Sequence, residues 1–168
     1  RLMTPNRLKE NEIFMSRLAR EMLDEFADTG MVEICRDFAS PFTLLVIADL
    51  LGVPQEDHAT FRSWLSNAPN SLGVDEDDQV DAQGGDRVFA NLHPYFHRYV
   101  EERRCSPGED VLTQLAQVRF PDGELPQVED IVRIAATLFA AGQETTARLI
   151  ATGMRILAER PSLAESLR

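Results

Sequence analysis

The chain has 168 residues, 43% of them hydrophobic, which is enough for one globular unit or a large part of one and unlike a disordered or fibrous chain. A formal net charge of −11 argues against a nucleic-acid partner, because phosphate binding needs clustered Lys and Arg. Two cysteines, Cys35 and Cys105, provide no disulfide framework and suit a reducing, cytoplasmic setting.

In chain order, Phe14, Leu18, Met22 and Phe26 recur at helical spacing and predict a helix over Leu8–Phe26, stopped by Gly30. Met31–Cys35 is short and partly alternating, and reads as the one isolated strand. Asp37 is placed to cap the next helix, which runs through LLVIADLL to Gly52 and is apolar almost all round. The stretch 38–53 is too short to cross a bilayer and contains Pro41 and Asp49, so no membrane span is expected. Val53-Pro54 opens a further helix, QEDHATFRSWL, with Glu56 and Asp57 near its positive end. Residues 69–80 read as a loop, and its acidic run from Asp75 to Asp81 as solvated. Helical signal resumes at Val88 and runs to Arg104, with Pro94 a kink, and Pro107-Gly108 turns the chain. Glu109–Val118 is one short helix, followed by a turn at Pro121-Asp122-Gly123. No repeat or linker divides residues 1–168, which read as a single, mainly α unit.

The longest element follows. From about Val128 to Glu159 no proline interrupts an apolar pattern of three- and four-residue steps, Glu129 and Asp130 occupy the first turn, and Pro161 follows the end. Such a helix is roughly 48 Å long and would cross the whole molecule. At its middle stands Ala141-Gly142-Gln143-Glu144-Thr145-Thr146. Local propensity disfavours it, since glycine costs about 1 kcal/mol relative to alanine in a helix and paired threonines lose rotamer freedom. A glycine, clustered hydroxyls and one carboxylate therefore predict a widened turn with a polar notch.

This string resembles the (Ala/Gly)-Gly-x-(Asp/Glu)-Thr-(Thr/Ser) signature in the central helix of cytochromes P450, and it matches every fixed position. ICRDFASPFTLLVIADLLGVP, FHRYVEERR, DVLTQL and FPDGELP are similar to the soluble bacterial members, so the resemblance covers essentially the whole chain. It implies a partial cytochrome P450 fold: several helices, one long central helix and at most one short strand. It also implies a haem-dependent monooxygenase that inserts one atom of O2 into a small hydrophobic organic substrate. Electrons would come from NAD(P)H through a ferredoxin-type donor, and the cofactor would be haem b. By the same resemblance Thr145 would hydrogen-bond the oxygen and Glu144 would relay protons. Ala141, Gly142 and Thr146 would lie against the cofactor, and Thr137, Leu138 and Ala140 would face the substrate pocket. A hydroxyl suits this work because it can accept and donate in turn without holding a charge, and a carboxylate can exchange protons with solvent. The alternative reading is a non-enzymatic helical ligand-binding domain, or a degenerate relative without haem.

The family's iron-ligating cysteine loop is expected downstream of the long helix, so no residue here is assigned as a metal ligand and the chain alone is expected to be inactive. Cys35 follows Phe26 and Gly30 at spacings one residue too long, and Cys105 lacks a suitably placed glycine. Glu101–Arg104 and Glu165–Arg168 match the bare Glu-x-x-Arg string but read as incidental surface pairs. His93 and His97 lie one turn apart, with Pro94 between them and no third ligand nearby, and read as an exposed pair without metal.

Overall fold

The computed structural model describes residues 5–66 and 82–167. Among these residues the chain is built from helices alone: α1 (Pro5–Ala27), a π-helical turn (Ile34–Ala39), α2 (Ser40–Leu51), α3 (Gln55–Ser66), α4 (Ala82–Cys105), α5 (Val111–Gln117), α6 (Val128–Glu159) and α7 (Pro161–Ser166). The expected loop 69–80 and its acidic run lie outside the described residues.

Two expectations fail at the same place. Met31–Cys35 is not a strand, because Glu33 ends the extended stretch and starts a helix instead. Its carboxylate accepts from the backbone N–H groups of Cys35 (3.2 Å) and Arg36 (2.5 Å). In return the Glu33 N–H donates to the Asp37 carboxylate at 2.9 Å. This reciprocal pair satisfies donors that every helix start leaves free. Asp37 therefore does not cap α2; it closes the turn that begins at Glu33. Ser40 N–H reaches back five residues to Cys35 O, which makes the turn π-helical and leads directly into α2.

α2 has the burial its composition predicts: Pro41, Thr43, Leu44, Leu45, Ala48 and Leu51 are all buried. It ends at Gly52, whose φ of +93° is the left-handed conformation that lets the chain leave a helix. α4 begins at Ala82, six residues before the apolar pattern resumes at Val88. Helix propagation is cooperative, so the packed C-terminal part carries a glycine-containing start that would not form alone. The helix passes through Pro94, which lies on its exposed side where water can serve the freed carbonyl. α7 was not expected. Pro161 stops α6 but also suits the first turn of the helix that follows.

α6 has the predicted bounds and is the element on which the others lie: α2, the π turn, α4, α5 and α7 all pack against it. It is α-helical throughout, so the widened turn expected at its middle does not form. Its buried residues include Ile131, Val132, Ala135, Ala136, Phe139, Gln143 and Ala147. They meet a core supplied by Leu44, Ala48 and Leu51 of α2, Phe61 of α3, and Leu92, Phe96, Tyr99 and Val100 of α4.

Polar contacts fix the outer helices. Arg62 of α3 holds Glu25 of α1 through two bonds of 3.0 and 2.6 Å. Asp57 of α3 accepts from Arg98 (2.7 Å) and from the Tyr99 hydroxyl (2.5 Å) of α4. Burial of the ring, reinforced by the bond to Asp57, pushes the Tyr99 hydroxyl well above its ordinary pKa, so it remains a donor. At the α2–α5 junction, Arg103 bonds both Asp110 (3.0 Å) and Gly52 O (2.8 Å), while Asp110 caps α5 through Thr113 N–H.

That junction yields a stability prediction. A Cβ at Gly52 would stand 2.3 Å from Asp110 Cβ, and the backbone there is left-handed. Backbone strain alone costs about 1–3 kcal/mol. Gly52→Ala is therefore expected to lower the thermal midpoint markedly, whereas Gly30→Ala, with nothing near its Cβ position, should cost only the strain. Equal losses in a melting experiment would show that Asp110 is not packed on Gly52.

Candidate functional site

The middle of α6 has two unlike faces. Phe139, Gln143 and Ala147 are buried, and the opposite side is open. Along that open side Ile134, Leu138, Ala141, Thr145 and Leu149 follow one another at steps of four, three, four and four, and all five are exposed. Successive residues of an α-helix are ~100° apart, so this spacing places all five on one stripe. The stripe is apolar except for the Thr145 hydroxyl. Glu144 and Thr137 are also exposed and flank it.

Three exposed polar groups at this site are satisfied within the helix. Thr145 Oγ1 donates to Ala141 O at 2.7 Å, and Thr137 Oγ1 donates to Arg133 O at 2.8 Å. Arg148 Nη2 donates to Glu144 Oε1 at 2.6 Å, one turn along. Both partners of that pair are about half exposed, so it is worth only about 0.3–0.5 kcal/mol.

The eight residues assigned from the sequence do not all share the face. Thr137, Leu138, Ala141, Glu144 and Thr145 come together on the open side. Thr146 is exposed as well but lies ~100° round from Thr145, on the Gly142 side, and Ala140 is half-buried. Gly142 points elsewhere. A Cβ built on it would meet Ile47 of α2, with Cδ1 at 3.0 Å and Cγ1 at 3.2 Å. Ile47 is a contact that sequence reasoning missed, because one apolar residue in an apolar helix carries no distinguishing signal. Gln143, at the variable position of the string, is buried and leaves its Nε2 without a partner.

Elsewhere, among the described residues, no cluster of three or more His, Cys, Asp or Glu could hold a metal ion. The His97 ring stands between Glu101 (3.4 Å) and Glu129 (3.5 Å), and the His93 ring is 6.2 Å from it. Glu101 and Arg104 of the Glu-x-x-Arg string turn apart, Arg104 donating to Pro126 O. Cys35 and Cys105 are both free. No helix among the described residues is long and apolar enough to cross a membrane.

No family model matches the chain. Individual proteins do. Cytochrome P450 109 of Bacillus spizizenii is 30% identical over 172 residues, covering 100% of this chain and 42% of that protein. The vitamin D(3) 25-hydroxylase of Pseudonocardia autotrophica is 33% identical over 176 residues, covering 99% and 42%. A substrate-free cytochrome P450 from Mycobacterium marinum superposes with a TM-score of 0.79 at 46% identity, over 99% of this chain and 36% of that one.

The chain belongs to the cytochrome P450 family. It spans about 42% of the length of those two curated relatives. A cytochrome P450 from Bacillus megaterium in complex with testosterone also superposes, with a TM-score of 0.76 at 34% identity over 98% of this chain and 43% of that one. The helical architecture agrees with the partial cytochrome P450 fold expected from the sequence, with no strand among the described residues.

The ion pair at the site gives a prediction about stability alone. Arg148→Ala and Glu144→Gln should each shift the thermal midpoint by little, in keeping with the small worth of an exposed i,i+4 pair. A loss above about 1 kcal/mol in denaturant unfolding would mean that the pair carries structure beyond its own turn.

Proposed function

We propose that the open stripe of α6 is the oxygen side of a haem-dependent monooxygenase, which inserts one atom of O2 into a small hydrophobic organic substrate. The observation that carries this reading is one uncovered helix face with an apolar stripe, the Thr145 hydroxyl in that stripe, and Thr137 and the Glu144–Arg148 pair along its edge. Electrons are drawn from NAD(P)H through a ferredoxin-type donor, and the enzyme works in the cytoplasm, which suits its free cysteines. The hydrophobic character of the substrate is supported by relatives named for vitamin D(3) and crystallised with testosterone.

The residues present fit haem b. Ala141 offers only a methyl group where a flat macrocycle needs room, and Ile134, Leu138 and Leu149 supply apolar surface along the same stripe. When bound, haem supplies the iron and the redox chemistry. The chain supplies placement and protons. Thr145 holds its proton on Ala141 O, and rotation of the hydroxyl frees it to donate toward oxygen lying over the stripe. Glu144, half exposed, exchanges protons with solvent and refills that hydroxyl once it lets go of Arg148. Leu138 and Thr137 border the substrate on the same side.

Thr145→Ala in the complete haem protein tests this reading. Substrate affinity and haem content should stay close to those of the unmutated protein, while product formed per NAD(P)H oxidised falls and hydrogen peroxide rises. Thr145→Ser should restore most of the coupling. Unchanged coupling in the alanine variant would reduce Thr145 to a helix back-bond, whereas no haem uptake and no product from the unmutated protein would favour the non-enzymatic alternative. Glu144→Gln is expected to slow turnover several-fold with substrate affinity kept, the pattern of a group needed in the reaction and not in binding. The present chain alone, mixed with haem, should give no thiolate-type carbon monoxide spectrum. A thiolate band abolished by Cys35→Ala or Cys105→Ala would contradict that expectation.

A further inference from the structure

We infer that Ile47 of α2 is a positioning residue for the Ala141–Thr145 turn: through the gap left by Gly142 it sets how closely α6 approaches α2, and thereby where the Thr145 hydroxyl stands. The inference rests on the reading that Thr145 acts on oxygen.

The contact admits little adjustment. A Cβ at position 142 would lie 3.0 Å from Ile47 Cδ1, 3.2 Å from Cγ1 and 3.7 Å from Cβ, so it meets the side chain along its length. Turning the terminal methyl would relieve the first distance and leave the second. Rotation about χ1 is restricted as well, because a β-branched residue in a helix has one strongly preferred rotamer. Nor can the helices easily part. Leu44, Ala48 and Leu51 hold α2 in the core, and Gln143 and Ala147 are buried on α6 next to the contact.

Gly142 has been given a role on the cofactor side by resemblance. The geometry gives it another: its missing side chain faces α2, while Ala141, one residue back, faces the open side. A methyl group added at 142 must therefore displace α6 from α2 by a few tenths of an ångström. The helix is continuous from Val128 to Glu159, so Thr145, three residues on, moves with it. Catalytic groups need placement to within about 0.5 Å, and a shift of a few tenths uses up much of that tolerance, so it reaches the chemistry before it reaches the fold.

The test is a size-compensation cycle in the complete haem protein: Gly142→Ala, Ile47→Ala, and the two together, read by thermal midpoint and by product formed per NAD(P)H oxidised. Gly142→Ala should lower coupling roughly tenfold, on the scale expected for a sub-ångström misplacement. The double variant leaves two β-carbons about 3.7 Å apart, an ordinary contact, and should recover most of the coupling. Its loss of midpoint should be smaller than the sum of the two single losses. Ile47→Val, which removes only Cδ1, should fall between the unmutated protein and Ile47→Ala. If Gly142→Ala does not fold, folding of the double variant with near-normal coupling supports the inference, and failure of both overturns it. Additive midpoints with coupling unchanged throughout would also overturn it, leaving Ile47 a packing residue only. Those outcomes are separable from failure of the functional reading, which is decided by Thr145→Ala and leaves the midpoint cycle unaffected.

Discussion

The packing of Phe139 between Phe61 of α3 and Phe96 of α4 is the contact on which the orientation of α6 depends, because it fixes which way a 32-residue helix is turned. Ring centroids lie 5.7 and 6.0 Å apart at steep angles, the edge-to-face arrangement that aromatic quadrupoles favour. All three rings are fully buried, and emptying such a site typically costs about 3–5 kcal/mol. With Phe139 held, helical geometry places Gln143 and Ala147 inward and leaves Ala141 and Thr145 outward. Any rotation that buried Thr145 would bring Phe139 toward water. The open face is thus a consequence of the core.

Polar accounting along α6 points the same way. Thr137, Thr145 and Glu144 find partners on their own helix, so the hydroxyls and the carboxylate place no demand on the surrounding packing. Gln143 is different. It is buried between Gly142 and Glu144, and its Nε2 donates to nothing. An unsatisfied buried donor costs about 1–3 kcal/mol, where leucine or methionine would cost none of it. A local rule broken one residue from the carboxylate is the kind of departure that functional sites tolerate.

Much of this was legible before any coordinates. The bounds of α6 followed from an apolar period uninterrupted for 32 residues, with acids at one end and proline at the other. α2 followed from its all-round apolar composition. What failed did so for identifiable reasons. Five residues such as Met31–Cys35 cannot be told from a strand by alternation, and a glutamate cap on a π-helical turn is a tertiary choice, made here because the turn packs on α6. The start of α4 was hidden by two glycines of poor helix propensity. At the site, residue types were readable but directions were only partly so. Thr145 and Ala141 share a face by simple spacing, whereas the direction of Gly142 depends on what stands beside it, and nothing marks Ile47 in the sequence.

A string such as AGQETT draws attention to chemistry because its glycine and paired threonines are poor helix choices. In this fold three of its residues also have a structural partner: Gly142 makes room for Ile47, the Thr145 hydroxyl returns to Ala141 O, and Glu144 pairs with Arg148. These partners do not compete equally with a catalytic role. The Ile47 contact lies on the covered side of α6 and is set by steric overlap, which nothing bound on the open side can relieve. The other two are single hydrogen bonds on exposed side chains, each worth about 1 kcal/mol or less, and can be exchanged for a better partner at little cost. The motif therefore combines a fixed part, Gly142, with two exchangeable parts, Glu144 and Thr145. A proton relay needs that combination: a rigid seat for the turn, and groups on it that are free to let go.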